Sequence, residues 1–121
     1  MTLMDDAVKF DDNKIRYELL PPEFSREVAE VLTFGAKKYG DRNWEKGMKW
    51  SRVYGALKRH IEDWFDPYKP DEDPETGLSH LAHAGCCLAF LMAYDARDMI
   101  AYDDRPKGND AFWDWDKDQK D

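Results

Sequence analysis

The residues of this chain best suited to chemistry fall in one stretch: His60, His80 and His83 are its three histidines, and Glu62, Asp63, Asp66, Asp71, Glu72, Asp73 and Glu75 lie between the first and second of them. His80 and His83 are spaced i, i+3, so on a helix they project from neighbouring positions. His60 and Asp63 share that spacing in an earlier segment. Imidazole and carboxylate together suit Mn²⁺, Fe²⁺ or Zn²⁺, while carboxylates alone suit Mg²⁺. Two helices joined by an acidic loop could bring His60, Asp63, Asp73, Glu75, His80 and His83 around one divalent ion, Mg²⁺ or Mn²⁺ in the first instance. The acids would hold the ion and help activate water, so Asp63, Asp73, Glu75, His80 and His83 form the candidate catalytic set. The same spacing also fits hydrogen-bonded core histidines beside a solvated loop, because His-x-x-His is a weak pattern.

A second constellation is cationic and aromatic. Lys37, Lys38, Arg42 and Lys46 follow an apolar segment and are interleaved with Tyr39, Asn43 and Trp44. Cations clamp phosphates, and aromatic faces with an amide can hold a base. Lys14 and Arg16 could add to the same anion site. The competing reading is ordinary helix-end charge with a tryptophan packed under a loop. No Gly-x-Ser-x-Gly and no glycine-rich phosphate loop occurs.

The elements that must position these residues are helical. Residues 1–20 read as a charged arm around Phe10, Ile15 and Tyr17. Pro21-Pro22 opens a first helix, in which Phe24, Val28, Val31 and Leu32 form an apolar stripe. Lys37 and Lys38 suit its last turn, and Gly40 suits a left-handed cap. Ser51 can cap a second helix to about Phe65, with Tyr54, Leu57, Ile61 and Trp64 as its stripe and His60 and Asp63 on one flank. Pro67 and Pro70 end it. A third helix, about 76–100, is apolar nearly all round. In so short a chain that implies self-association, with Gly85 and Ala89 marking close helix approach. Residues 1–102 are expected to form one domain. The stretch 103–121, with seven Asp against four basic residues and with Phe112, Trp113 and Trp115 inserted, reads as an acidic tail. The class is all-α, a small oligomeric helical bundle with a long central helix.

Composition narrows the function. With 18 Lys and Arg against 26 Asp and Glu the chain carries a net charge of −8, which argues against binding long nucleic acid. A small nucleotide is still admissible, because a local cation cluster or an ion can reverse the sign inside a cleft. No apolar run approaches a membrane span, and the first ten residues lack a signal core. The adjacent Cys86 and Cys87 suit a reduced, cytoplasmic protein better than a disulfide framework.

Several blocks resemble a known family: Lys14-Ile15-Arg16-Tyr17-Glu18-Leu19-Leu20-Pro21-Pro22, the segment Leu32-Thr33-Phe34-Gly35-Ala36-Lys37-Lys38-Tyr39-Gly40, Arg42-Asn43-Trp44, Arg59-His60, and the run from Asp73 to Ala84. They are similar to the phage dATP/dGTP diphosphohydrolase N-terminal domain family, akin to the MazZ proteins of phages that replace adenine with 2-aminoadenine. More distantly they resemble MazG-like all-α pyrophosphohydrolases. The resemblance covers about residues 9–95. It implies metal-dependent hydrolysis of purine deoxynucleoside triphosphates to monophosphate and pyrophosphate, by a dimer or tetramer in the host cytoplasm. The substrate-binding residues would be Lys14, Arg16, Lys37, Lys38, Tyr39, Asn43, Trp44 and Arg59. MazG-like enzymes place carboxylates at paired helical positions, whereas the corresponding slots here hold His60, Asp63, His80 and His83. The alternative is therefore a noncatalytic, sponge-type nucleotide-binding protein.

Overall fold

The computed structural model describes residues 6–10 and 12–107. Three helices make the frame: α1 (Pro22–Tyr39), α2 (Trp50–Phe65) and α3 (His80–Ala96). Single 3-10 turns occupy Tyr17–Leu19, Asn43–Lys46 and Ile100–Tyr102. Among the described residues there is no strand, only an isolated bridge between Glu72 and Ser79. The class is all-α.

Pro22 stands in the first turn of α1, where a missing N–H loses nothing. Gly40 ends the helix, its N–H reaching the Ala36 carbonyl at 2.8 Å. Its φ of 95° and ψ of 156° lie outside the left-handed helical region expected for the cap, in territory that glycine alone enters freely.

Two expectations about helix ends are corrected. Ser51 is not the N-cap of α2: the helix begins at Trp50, and Asp104 caps it from a distance. One Asp104 oxygen accepts the Ser51 N–H at 2.8 Å and the other accepts the Ser51 hydroxyl. A carboxylate at this end also meets the positive pole of the helix. The third helix starts at His80 rather than near Thr76, because residues 73–78 close a loop of their own. The Asp73 N–H bonds the Leu78 carbonyl, the Gly77 N–H bonds the Asp73 carbonyl, and Gly77 turns the chain with φ 72°. Ser79 then caps α3 by accepting the Leu81 N–H at 3.1 Å. The helix stops at Ala96, short of Ile100, and Asp98 reverses the chain with φ 53°.

The middle position belongs to α3, with α1 on one flank and α2 on the other. Val28 and Val31 of α1 pack on Ala82 and Cys86; Trp50 and Val53 of α2 pack on Cys87 and Tyr94; Phe90 touches both groups. Gly85 marks the close approach expected of it, but to α1 of the same chain: a Cβ there would stand 2.9 Å from a Val28 methyl and 3.3 Å from the Phe24 ring. The expectation that α3 is buried on every side does not hold within one chain. Leu81 and Leu88 are each 45% exposed and Met92 is 70% exposed, forming one stripe. Phe112, Trp113 and Trp115 lie outside the described residues. Among those described, no helix is long and apolar enough to cross a membrane.

Candidate functional site

Trp50 and Val53 meet Tyr94 while His60 meets His80, so α2 and α3 run antiparallel. Antiparallel packing sets the C-terminal half of α2 beside the N-terminus of α3, and the loop between them returns Asp73 to the same spot. One ligand atom from each of His60, Asp73 and His80 lies within 4.8 Å of the others. The two imidazoles face each other through Nδ1 atoms 3.0 Å apart. Two nitrogens held about 2.1 Å from one ion, at an angle of about 90–109°, stand roughly 3.0–3.4 Å apart. The spacing of His60 and His80 therefore fits two ligands on a single ion.

The surrounding bonds prepare these groups. Asp73 Oδ1 accepts the Glu75 N–H at 2.9 Å and the Thr76 N–H at 3.1 Å, the turn that an Asp-Pro-Glu-Thr-Gly sequence favours. Burial pushes the Asp73 carboxyl up, but those two amides and the nearby His83 and His60 outweigh it and hold the group below its ordinary value. Burial lowers His60, and His83 lowers it further against the pull of Asp73. Burial likewise lowers His83, opposed by Asp73 and Glu75. Neutral imidazoles and an ionised carboxylate are the forms a metal requires.

His83 stands beside this trio. Its ring stacks on His60 with centroids 4.6 Å apart and 12° between planes, and its Nε2 lies 2.7 Å from the Thr76 hydroxyl. That hydroxyl already accepts the Leu78 N–H at 3.1 Å, so its own proton is available to Nε2. Thr76 was not among the residues expected at the site; the turn begun at Asp73-Pro74 was the available signal.

A cleft of about 480 Å³ adjoins the cluster and is lined by Thr76, Glu75 and His83. Lys38, Tyr39 and Arg42 form its exposed rim; Cys86, Cys87 and Phe90 lie deeper. Burial pushes the Cys86 thiol up to about 12 and raises Cys87 as well, so both serve as apolar lining rather than as thiolates. Trp44 and Asn43 reach the cleft from the turn Asn43–Lys46. Trp44 stacks on Phe90 with centroids 4.7 Å apart, and its carbonyl accepts the Tyr94 hydroxyl at 2.6 Å. Tyr94 too was missed, since nothing local in the sequence links it to residue 44.

The remaining candidates are dispersed. Glu75 faces the cleft but ion-pairs with Lys38. Asp63 is bound by Lys69 at 2.9 Å and stands apart from the His60–Asp73–His80 trio. Consecutive lysines diverge on a helix, so Lys38 lines the cleft while Lys37 borders a separate depression with Arg26, Glu30 and Thr33. Lys14, Arg16 and Arg59 do not line the cleft. Arg16 pairs with Glu18 at 2.8 Å on the arm, and Arg59 is an exposed residue of α2 whose charge is felt at Cys87. The geometry combines a two-imidazole, one-carboxylate cluster with an apolar cleft that has a cationic rim. Such a site can receive a flat ring and a polyanion together.

The family described as dATP/dGTP diphosphohydrolase, N-terminal, matches residues 4–105. A protein of Salmonella phage PMBT28 named dATP/dGTP diphosphohydrolase is 39% identical over 107 residues, which is 88% of this chain and 33% of that relative. The chain thus spans about a third of the length of the curated relative it matches. No solved structure matches it.

Proposed function

The chain belongs to the dATP/dGTP diphosphohydrolase N-terminal family, and on that premise we propose that it hydrolyses dGTP and dATP to the monophosphate and pyrophosphate. The observation that carries this reading is the convergence of His60, Asp73 and His80 on one point beside a cleft rimmed by Lys38 and Arg42. His60, Asp73 and His80 would hold one divalent ion, and two imidazoles with one carboxylate favour Mn²⁺ over Mg²⁺. Such an ion contributes polarisation of a phosphoryl oxygen and acidification of water. Lys38 and Arg42 bind the polyphosphate by charge-assisted hydrogen bonds. To do so Lys38 gives up Glu75, a cheap exchange because exposed ion pairs are worth about 0–1 kcal/mol. The purine packs against the Trp44 side of the cleft, where the Asn43 amide offers a donor and an acceptor to its edge. His83, whose Nε2 accepts the Thr76 hydroxyl, carries its proton on Nδ1 and would donate it in a hydrogen bond to a phosphoryl oxygen.

The exposed stripe of Leu81, Leu88 and Met92 supports assembly into a dimer or tetramer through α3. The phage source of the relative and the nucleotide in its name support a role in nucleotide metabolism in the host cytoplasm. Incubating the chain with dGTP or dATP and Mn²⁺ or Mg²⁺, then resolving the products by ion-exchange chromatography, tests the reading. Monophosphate and pyrophosphate in equal amounts are expected. Nucleotide that binds but stays intact with either ion would replace catalysis by the noncatalytic nucleotide-binding role.

A further inference from the structure

Three glycines stand inside helices, Gly35 in α1, Gly55 in α2 and Gly85 in α3. Two of them are filled by neighbours: Gly85 lets Val28 and Phe24 approach, and a Cβ at Gly55 would press on the end of the Arg59 side chain at 3.3 Å. Gly35 is different. It lies in the body of α1 without a positive φ, and a Cβ built on it would meet nothing within 4 Å. Inside a helix glycine is the least favourable residue after proline, because it loses the most backbone freedom on folding and packs no side chain. Neither backbone conformation nor packing within this chain calls for glycine at 35, and alanine would fit there and favour the helix. What adjoins the position is the nucleotide cleft, whose α1 wall includes Val31, Gly35 and Lys38.

The place along that wall decides which part of a ligand comes near. Val31, Gly35 and Lys38 follow at spacings of four and three residues, so they share one face of α1. Gly35 stands about 4.5 Å along the axis from Lys38, at about 1.5 Å per residue. Lys38 takes the polyphosphate, and Trp44 stacked on Phe90 forms the aromatic end where the purine packs. On α3 the order repeats, with His83 at the phosphate end, Cys87 one turn on and Phe90 at the aromatic end. In a nucleotide the furanose joins phosphate to base, so the sugar has to cross the stretch that Gly35 borders.

We infer, resting on the nucleotide reading of the cleft, that Gly35 is a substrate-contacting residue: the sugar packs on its bare Cα, and the polyphosphate is held without it. A methyl group at 35 takes up part of the sugar's space, and a leucine side chain takes up all of it.

Stability and binding should then move in opposite directions. Gly35→Ala should raise Tm by about 2–8 °C, because a better helix former replaces glycine without a clash. It should weaken binding of a nonhydrolysable dGTP analogue by about five- to hundredfold in calorimetry, the effect of overpacking. Gly35→Leu, also a good helix former, should leave no measurable binding of the analogue. Inorganic tripolyphosphate, which has no sugar, should bind the parent and both variants within about twofold. Gly55→Ala, outside the cleft, should raise Tm and leave both affinities unchanged. Analogue affinity unchanged in Gly35→Ala, with the parent binding normally, would overturn the sugar contact and leave the nucleotide reading standing. A lowered Tm in Gly35→Ala would give the glycine a structural role and overturn the contact, as would equal losses of analogue and tripolyphosphate. A parent that binds neither ligand would overturn the nucleotide reading itself, and the contact with it.

Discussion

Removing one oxygen tests how the cleft is held. Tyr94 is fully buried, and its hydroxyl donates to the Trp44 carbonyl at 2.6 Å, tying α3 to the turn that carries Asn43 and Trp44 into the cleft. Tyr94→Phe keeps the ring packed among Trp50, Val53 and Cys87 and deletes only that bond. A hydrogen bond contributes about 0.5–1.5 kcal/mol net, and an orphaned buried acceptor raises the cost to about 1–3 kcal/mol. Trp44 is half-buried, so water reaches the freed carbonyl in part, and about 1–2 kcal/mol is the expected loss. At about 4–8 °C per kcal/mol for a domain near this size, Tm should fall by about 4–16 °C. With the turn loosened, nucleotide affinity should fall by about three- to tenfold, roughly 0.7–1.4 kcal/mol. Thermal melts by circular dichroism and calorimetry with a nonhydrolysable dGTP analogue give the two readouts. A Tm within about 1 °C of the parent, or a lowered Tm with nucleotide affinity unchanged, would refute the tether.

Lys38→Ala should weaken nucleotide binding by about 1.5–3 kcal/mol, tenfold or more, while Lys37→Ala should leave affinity within about twofold; equal losses in calorimetry would contradict their divergence. Gly85→Leu should destabilise by about 1–3 kcal/mol or more in urea melts, because its side chain would strike Val28 and Phe24 of α1, and a neutral effect would count against that close approach. Burial holds the folded-state values of His60 and His83 below the ordinary imidazole value, so the unfolded chain takes up protons first as the medium is acidified. Stability should therefore be at full strength above about pH 6.5 and fall as pH drops through the lowered folded values; denaturant midpoints that rise on acidification from pH 7 to 5 would contradict this.

Much of the frame was legible because it rests on local rules. Pro22 opening α1 and the apolar period of Val28 and Val31 are read within one or two turns of helix, and so is the i, i+3 pairing of His80 with His83. What the sequence concealed depends on distant partners. Asp104 replaces Ser51 as the cap of α2 across 53 positions, and Tyr94 holds the Trp44 carbonyl across 50. Within the site, His60, Asp73 and His80 converge as their placement on two antiparallel helices and the joining loop suggested. Asp63 does not join them, because Lys69 binds its carboxylate, and Lys37 does not line the cleft, because it lies about 100° round the helix from Lys38. The start of α3 was misplaced because an apolar period carries no information about a loop closed by backbone bonds to Asp73.

The central claim is that two imidazoles and one carboxylate, His80 and His60 with Asp73, hold the divalent ion that nucleotide hydrolysis needs. Pulsed electron paramagnetic resonance of the Mn²⁺-loaded chain tests it most directly, since a ligating imidazole nitrogen modulates the echo. The expected spectrum shows two such nitrogens, reduced to one in His60→Ala and in His80→Ala, with turnover of dGTP lost in both. Mn²⁺ that shows no imidazole coupling while dGTP is still cleaved would contradict the claim.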